Sequence, residues 1–145
     1  MKLLRTQSIT IHGHVFTLSE FTALDRLDDM EYQVNFPEPV LSDGADLDAV
    51  HHHMIAAEIR NLNVITHSLA ISLKHGTERF QSLPLADIQE ELKADWPYQA
   101  LTGAYATLIN LNKPPQLLLE SDSVATEEVV TPEKRWWLPG IWLKK

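Results

Sequence analysis

The sequence predicts a mainly α-helical protein: an N-terminal β-hairpin, about four helices after it, and a flexible C-terminal tail. Three observations carry that expectation. A stretch rich in Thr, Ile, Val and Phe, with polar residues interleaved, surrounds one glycine near the N-terminus. From Asp46 to about Lys74 neither Pro nor Gly intervenes while apolar residues recur at helical spacing, and after Pro114-Pro115 the composition changes abruptly. Alternation with period two marks strands, and recurrence every three to four residues marks helices.

Leu3 to Leu18 alternates as Ser8, Ile9, Thr10, Ile11 and then Val15, Phe16, Thr17 around His12-Gly13-His14. Gly13 supplies the positive φ that a tight hairpin turn requires. A lone two-stranded hairpin is marginal in water, so it must lean on another element. Thr17-Leu18-Ser19-Glu20 has the form of a helix start, with Thr17 or Ser19 as N-cap and Glu20 closing a capping box. The helix that follows extends to about Tyr32. Its apolar residues Phe21, Ala23, Leu24, Leu27 and Met30 share one side, which predicts a core face, and Asp25, Asp28, Asp29 and Glu31 fall largely on the other, which predicts a solvated one.

Asn35-Phe36-Pro37-Glu38-Pro39 and Ser42-Asp43-Gly44 make a loop, because two prolines deny backbone donors and push the residues before them away from helix. In the long helix from Asp46, a stripe of Ile55, Ile59, Leu62, Ile65, Leu69 and Leu73 is widened by Val50, Met54, Ala57, Val64 and Ile71. The C-terminal half is apolar nearly all round, as in a helix buried centrally or shared between subunits. His75-Gly76 supplies a stop. Beyond Pro84, a short helix covers about Leu85 to Asp95. Pro97 opens another to about Asn112, with Leu101, Tyr105, Leu108 and Leu111 or Asn112 on one face.

The 145 residues suit one domain of ordinary size plus a tail. The boundaries expected are 1–113 for a helical domain and 114–145 for an acidic linker with a Trp-rich end. Gln116 to Glu133 holds five acids and no base, whereas Lys134 to Lys145 places Trp136, Trp137 and Trp142 among four positive charges. A net charge of -8 argues against nucleic-acid binding, which needs clustered Lys and Arg. No Cys means no disulfide framework, thiol nucleophile or thiolate zinc site. No apolar run approaches the ~18 residues of a membrane span and no targeting segment opens the chain, so a soluble intracellular protein is expected.

Chemistry is sparse. His51, His52 and His53 are consecutive on a helix, so their rings point ~100° apart and cannot converge on one ion. The seven histidines are expected to be solvated, with no metal and no cofactor. No glycine-rich phosphate loop, Gly-x-Ser-x-Gly elbow or His-Glu-x-x-His helix is present, which predicts a protein that is not an enzyme.

Three stretches in order carry a resemblance to a known family. Thr17-Leu18-Ser19-Glu20 with Ala23-Leu24 and Arg26 after the hairpin, Leu69-Ala70-Ile71-Ser72-Leu73 with His75, and Trp96-Pro97 with Ala100 together resemble the minor tail protein G family. These are the tail assembly chaperones of lambda-like long-tailed phages, and the resemblance covers roughly residues 1 to 112. It implies a mostly helical protein of the host bacterial cytoplasm that coats the long, largely helical tape measure protein in multiple copies. It also implies absence from the mature virion, and a longer frameshifted product that brings in the tail tube protein. A structural minor tail or tail completion protein retained in the virion is the alternative.

Within that frame the candidate partner-binding residues are Ile65, Leu69, Ile71 and Leu73, as an exposed groove or oligomer seam, against the plainer possibility of an ordinary core. Trp136, Trp137 and Trp142 form either a docking arm or a tail folded onto its own domain. Lys144-Lys145 suits a -1 ribosomal slip, which the family's resemblance implies near the end of the reading frame, although the usual Gly-Lys pair is absent.

Overall fold

The computed structural model describes residues 3–114. Strands β1 (Thr6–Ile11) and β2 (His14–Ser19) are followed by helices α1 (Ala23–Asn35) and α2 (Leu47–Gly76). A single 3-10 turn, Glu78–Phe80, precedes α3 (Leu85–Asp95) and α4 (Tyr98–Leu111). The described residues are thus mainly helical, with one N-terminal hairpin and four helices after it. No helix among the described residues is long and apolar enough to cross a membrane.

His12 (φ 47°) and Gly13 (φ 85°) make the two-residue turn, both in the left-handed region that hairpin twist favours. The strands pair antiparallel with Ile11 opposite His14 and Thr6 opposite Ser19. The ladder continues one step further, as Glu20 N donates to Arg5 O at 2.9 Å and Arg5 N donates to the Glu20 carboxylate at 2.8 Å. The hairpin leans on the helices through Leu18, which is fully buried, and through Phe16, whose ring meets those of Phe80 and Trp96.

β2 runs through Ser19, so the helix start expected at Thr17-Leu18-Ser19-Glu20 is corrected. The backbones of Thr17 and Ser19 are bonded by hydroxyls of Thr77 and Ser72, which holds them extended. The N-cap is Thr22: its hydroxyl accepts from Asp25 N, and the Asp25 carboxylate accepts from Thr22 N, both at 3.0 Å. The capping box exists, one strand-length later.

α2 spans 30 residues, about 45 Å, capped by Asp46 and ending with Lys74 and His75 near its negative pole. Gly76 is its last residue rather than a left-handed stop. A Cβ there would lie 2.4 Å from Thr17 O, so the glycine admits β2 against the helix end. α3 runs antiparallel along α2: Lys74 Nζ donates to Gln81 O and Leu83 O, and Gln89 Nε2 reaches Asn63 O and Thr66 Oγ1. The core gathers Leu18, Leu69, Leu73, Phe80, Ile88, Leu92, Leu101 and Leu108 between hairpin and helices. Arg5 donates to Leu111 O and Phe21 N to Asn112 Oδ1, both at 2.8 Å, which fastens the end of α4 to the base of the hairpin.

Candidate functional site

Of the partner-binding candidates, Leu69, Ile71 and Leu73 are 0%, 3% and 0% exposed, and Ile65 is partly buried. Their expected exposure is corrected. The apolar C-terminal half of α2 is enclosed by the hairpin, α3 and α4 on one flank and α1 on the other, so the chain uses it as its own core. Trp136, Trp137, Trp142 and the Lys144-Lys145 pair lie outside the described residues.

The apolar surface lies elsewhere, because α1 is docked the other way round from the expectation. Its acidic side faces α2. Asp29 is buried; its carboxylate accepts from Ser68 Oγ at 2.7 Å and meets His67 Nδ1 at 3.2 Å, and Gln33 donates to it at 3.3 Å. Asp25 meets His75 Nε2 at 2.8 Å. Tyr32 stacks on His67 with ring centroids 3.8 Å apart, and its hydroxyl accepts from Gln89 Nε2. Two histidines expected in solvent are therefore packed against carboxylates, His67 buried and His75 half-buried. The reason is pairwise: the polar residues of α1 meet a complementary set on α2 in antiparallel order, and buried polar groups are stable only with such partners.

Turning that side inward leaves the other outward. Leu24 is 77% exposed, Leu27 60% and Val34 74%, and Met30 is also exposed. At 100° per residue these four and Ala23 fall within about a third of the helix circumference, a continuous apolar strip with Glu31 among them. α2 supplies a second surface. Ile55 and Ile59, both more than half exposed, belong by spacing to the same face as Leu62, Leu69 and Leu73. That face is covered from the level of Asn63 onward, where Gln89 of α3 reaches it, and upstream it is open; Leu47 and Met54 are exposed there too. Large apolar residues clustered on one face of a monomer mark contact with another chain or with a membrane far more often than scattered ones do.

Electrostatics around α1 reach one more group. Burial pushes the Tyr105 hydroxyl above its ordinary pKa of 10.0, and the nearby charge of Asp29 pushes the same way, with Arg60 opposing. No cluster of three metal-ligating side chains occurs among the described residues.

Among the described residues, fold and surface define a small helical domain with a closed core and exposed apolar helix faces. Over residues 2–128 the sequence matches the model of the bacteriophage lambda tail assembly chaperone, TAC, protein G, and the chain belongs to that family. The match runs past residue 112, where the resemblance carried by the three motifs ends. It is a family of chaperones, not known as enzymes. No curated protein and no solved structure matches the chain.

Proposed function

We propose that this chaperone binds the tape measure protein and keeps it soluble during tail assembly, taking amphipathic helices of that client on the outward strip of α1 and the open face of α2. The observation that carries the reading is the inverted docking of α1. A helix held to its own domain through Asp25, Asp29 and Tyr32 leaves Leu24, Leu27 and Val34 free for a partner. Helix-in-groove contacts use apolar anchors at such spacings. The proposal also takes in action in the host cytoplasm, several copies along one client, absence from the mature virion, and delivery of the tail tube protein by a longer frameshifted product, each supported by membership of a tail assembly chaperone family.

Co-expression with the tape measure protein of the same phage is the test. The wild-type chain should hold the client soluble and co-purify with it, whereas Leu24→Ser, Leu27→Ser and Val34→Ser combined should lose the client while keeping the helical circular dichroism spectrum. Equal client solubility with wild type, with the triple variant and with no chaperone would end the reading. Finding the chain in purified particles would instead favour a structural tail protein.

A further inference from the structure

The two edges of the hairpin are treated differently. Along the outer edge of β2, Thr17 N donates to Thr77 Oγ1 and Thr17 O accepts from it, both at 2.9 Å. Ser19 N donates to Ser72 Oγ and Ser19 O accepts from it, both at 2.8 Å. Two hydroxyls of the α2 region thus stand where a third strand would. The outward direction of the Thr17 and Ser19 amides also fixes the parity of the ladder. Ser8 stands opposite Thr17, Thr6 opposite Ser19 and Thr10 opposite Val15. In an antiparallel pair, residues opposite one another at the non-bonded positions both turn their N–H and C=O away from the partner strand. The outer edge of β1 therefore carries the N–H and C=O of Thr6, Ser8 and Thr10, and among the described residues none of these backbone groups has a hydrogen-bond partner.

Beside this open edge lies a groove of about 360 Å³, with Thr10 and His12 on the strand side and Ala100, Gly103 and Thr107 on the α4 side. A Cβ placed on Gly103 would meet nothing within 4 Å, so the space above the helix is clear. Apart from the imidazole of His12 the surroundings carry no charged side-chain type: neither TQSITI of β1 nor YQALTGAYATLINL of α4 contains an Asp, Glu, Lys or Arg, in a chain of net charge -8. Natural proteins blunt an open edge with Lys, Pro or a bulge. This edge has none of the three.

We propose that β1 and α4 form a strand-accepting groove, in which an extended, uncharged segment of another polypeptide adds alongside β1. Its backbone pairs with Ser8 and Thr10, and alternate side chains of Val or Thr size rest over Ala100, Gly103 and Thr107. The chemistry selects this occupant. Unpaired backbone groups at alternate residues match an extended chain and not a helix, whose own groups are already bonded. Strand and helix without Asp, Glu, Lys or Arg offer no ion-pair partner to a carboxylate-rich or Lys-rich segment, which would lose its hydration on entry. A second copy presenting its own β1 would bring its own α4 beneath the same two strands. Such a pairing is the competing occupant, and dependence on protein concentration distinguishes it from a foreign segment. This groove shares no residue with the outward strip of α1, so a chain that failed to bind a client helix there would still present it.

The test is amide hydrogen exchange on the isotopically labelled full chain, with the blocked peptide acetyl-Ser-Val-Thr-Val-Thr-Val-Ser-amide as probe and the same peptide with Glu in place of Val as control. Saturation with the probe should slow exchange at Ser8 and Thr10 by at least about tenfold and leave the control without effect. Gly103→Arg puts a good helix former in α4 and a charge in the groove, so the fold should stand while the probe's protection of Ser8 and Thr10 disappears. Unchanged exchange at millimolar probe would overturn the proposal, and so would a Gly103→Arg chain protected as well as wild type. Protection of Ser8 and Thr10 without any peptide would also overturn it. If independent of protein concentration, the chain fills its own groove; if growing with concentration, a second copy does.

Discussion

The two flanks of α2 are packed by different physics. Toward the hairpin, α3 and α4 it buries Leu69 and Leu73 among Phe80, Ile88, Leu92 and Leu101; toward α1 it offers His67, Ser68 and His75 to Asp29, Tyr32 and Asp25. Apolar burial, at roughly 25 cal/mol per Å², is non-directional and sums over the whole contact. Hydrogen bonds to a charged group contribute about 1.5–3 kcal/mol each, depend on direction, and compete with water. The first flank therefore defines the domain, while the second holds one helix in one orientation. A helix fastened by its polar side keeps its apolar side exposed, as Leu24, Leu27 and Val34 are.

The largest effect is expected in the core. Leu73→Ala deletes a fully buried side chain at the centre of the apolar flank, and the expected loss is about 2–5 kcal/mol, read from urea unfolding. A loss below about 1 kcal/mol would mean that this flank is far less tightly packed than its burial implies.

Asp29→Ala strikes the other flank. It removes the acceptor shared by His67 and Ser68, leaving both buried without it, and should cost about 1–3 kcal/mol. The sharper measurement is regional. Amides of α1 should exchange faster while those of α2 between Val64 and Leu73 keep their protection, because only the polar fastening has been cut. Equal acceleration in both helices would show one cooperative unit and dissolve the distinction between the flanks.

A smaller effect is expected on the outward strip of α1. Leu27→Ser changes a side chain that is 60% exposed, so stability should move by no more than about 0.5 kcal/mol. A cost comparable to that of Leu73→Ala would place Leu27 in a core contact and reverse the orientation of α1.

Much of this was legible in the sequence, and the part that was not has one physical cause. The His12-Gly13 turn, the uninterrupted α2, and the bounds of α3 and α4 follow from backbone chemistry local to each segment: positive φ, the absence of breakers, prolines at helix starts. The orientation of α1 does not. Hydrophobic periodicity identifies two faces and assumes that the apolar one is inside, which holds when the domain must satisfy itself alone. Asp25 and Asp29 face α2 because His75 and Ser68 stand there to meet them, and that matching appears only when α1 and α2 are laid antiparallel. The same blindness misplaced the exposed apolar surface: Leu69, Ile71 and Leu73 make the most apolar stretch, and for that reason the domain covers them itself. The helix start at Thr17 failed likewise, since two hydroxyls far along the chain, Ser72 and Thr77, hold that segment as a strand.

The smallest effect, nil at neutral pH, tests whether the two flanks communicate. Tyr105 lies on α4, and its hydroxyl is pushed above the ordinary 10.0 first by burial and then by the charge of Asp29. A folded-state pKa above the unfolded one means that the native chain holds the proton more tightly. The contribution to stability is then complete below the unfolded value of about 10 and is lost as pH rises through the folded value. Wild type should consequently lose stability relative to Tyr105→Phe as the pH climbs beyond about 10, measured by urea unfolding across that range. Asp29→Asn removes a charge from the polar flank without touching Tyr105, and the Tyr105 titration, followed by nuclear magnetic resonance, should move down toward its ordinary value. Because burial is the larger cause, most of the elevation should persist in that variant. A titration unmoved by Asp29→Asn would mean that the charge fastening α1 is not felt on α4, and that the two flanks are coupled through the body of α2 alone.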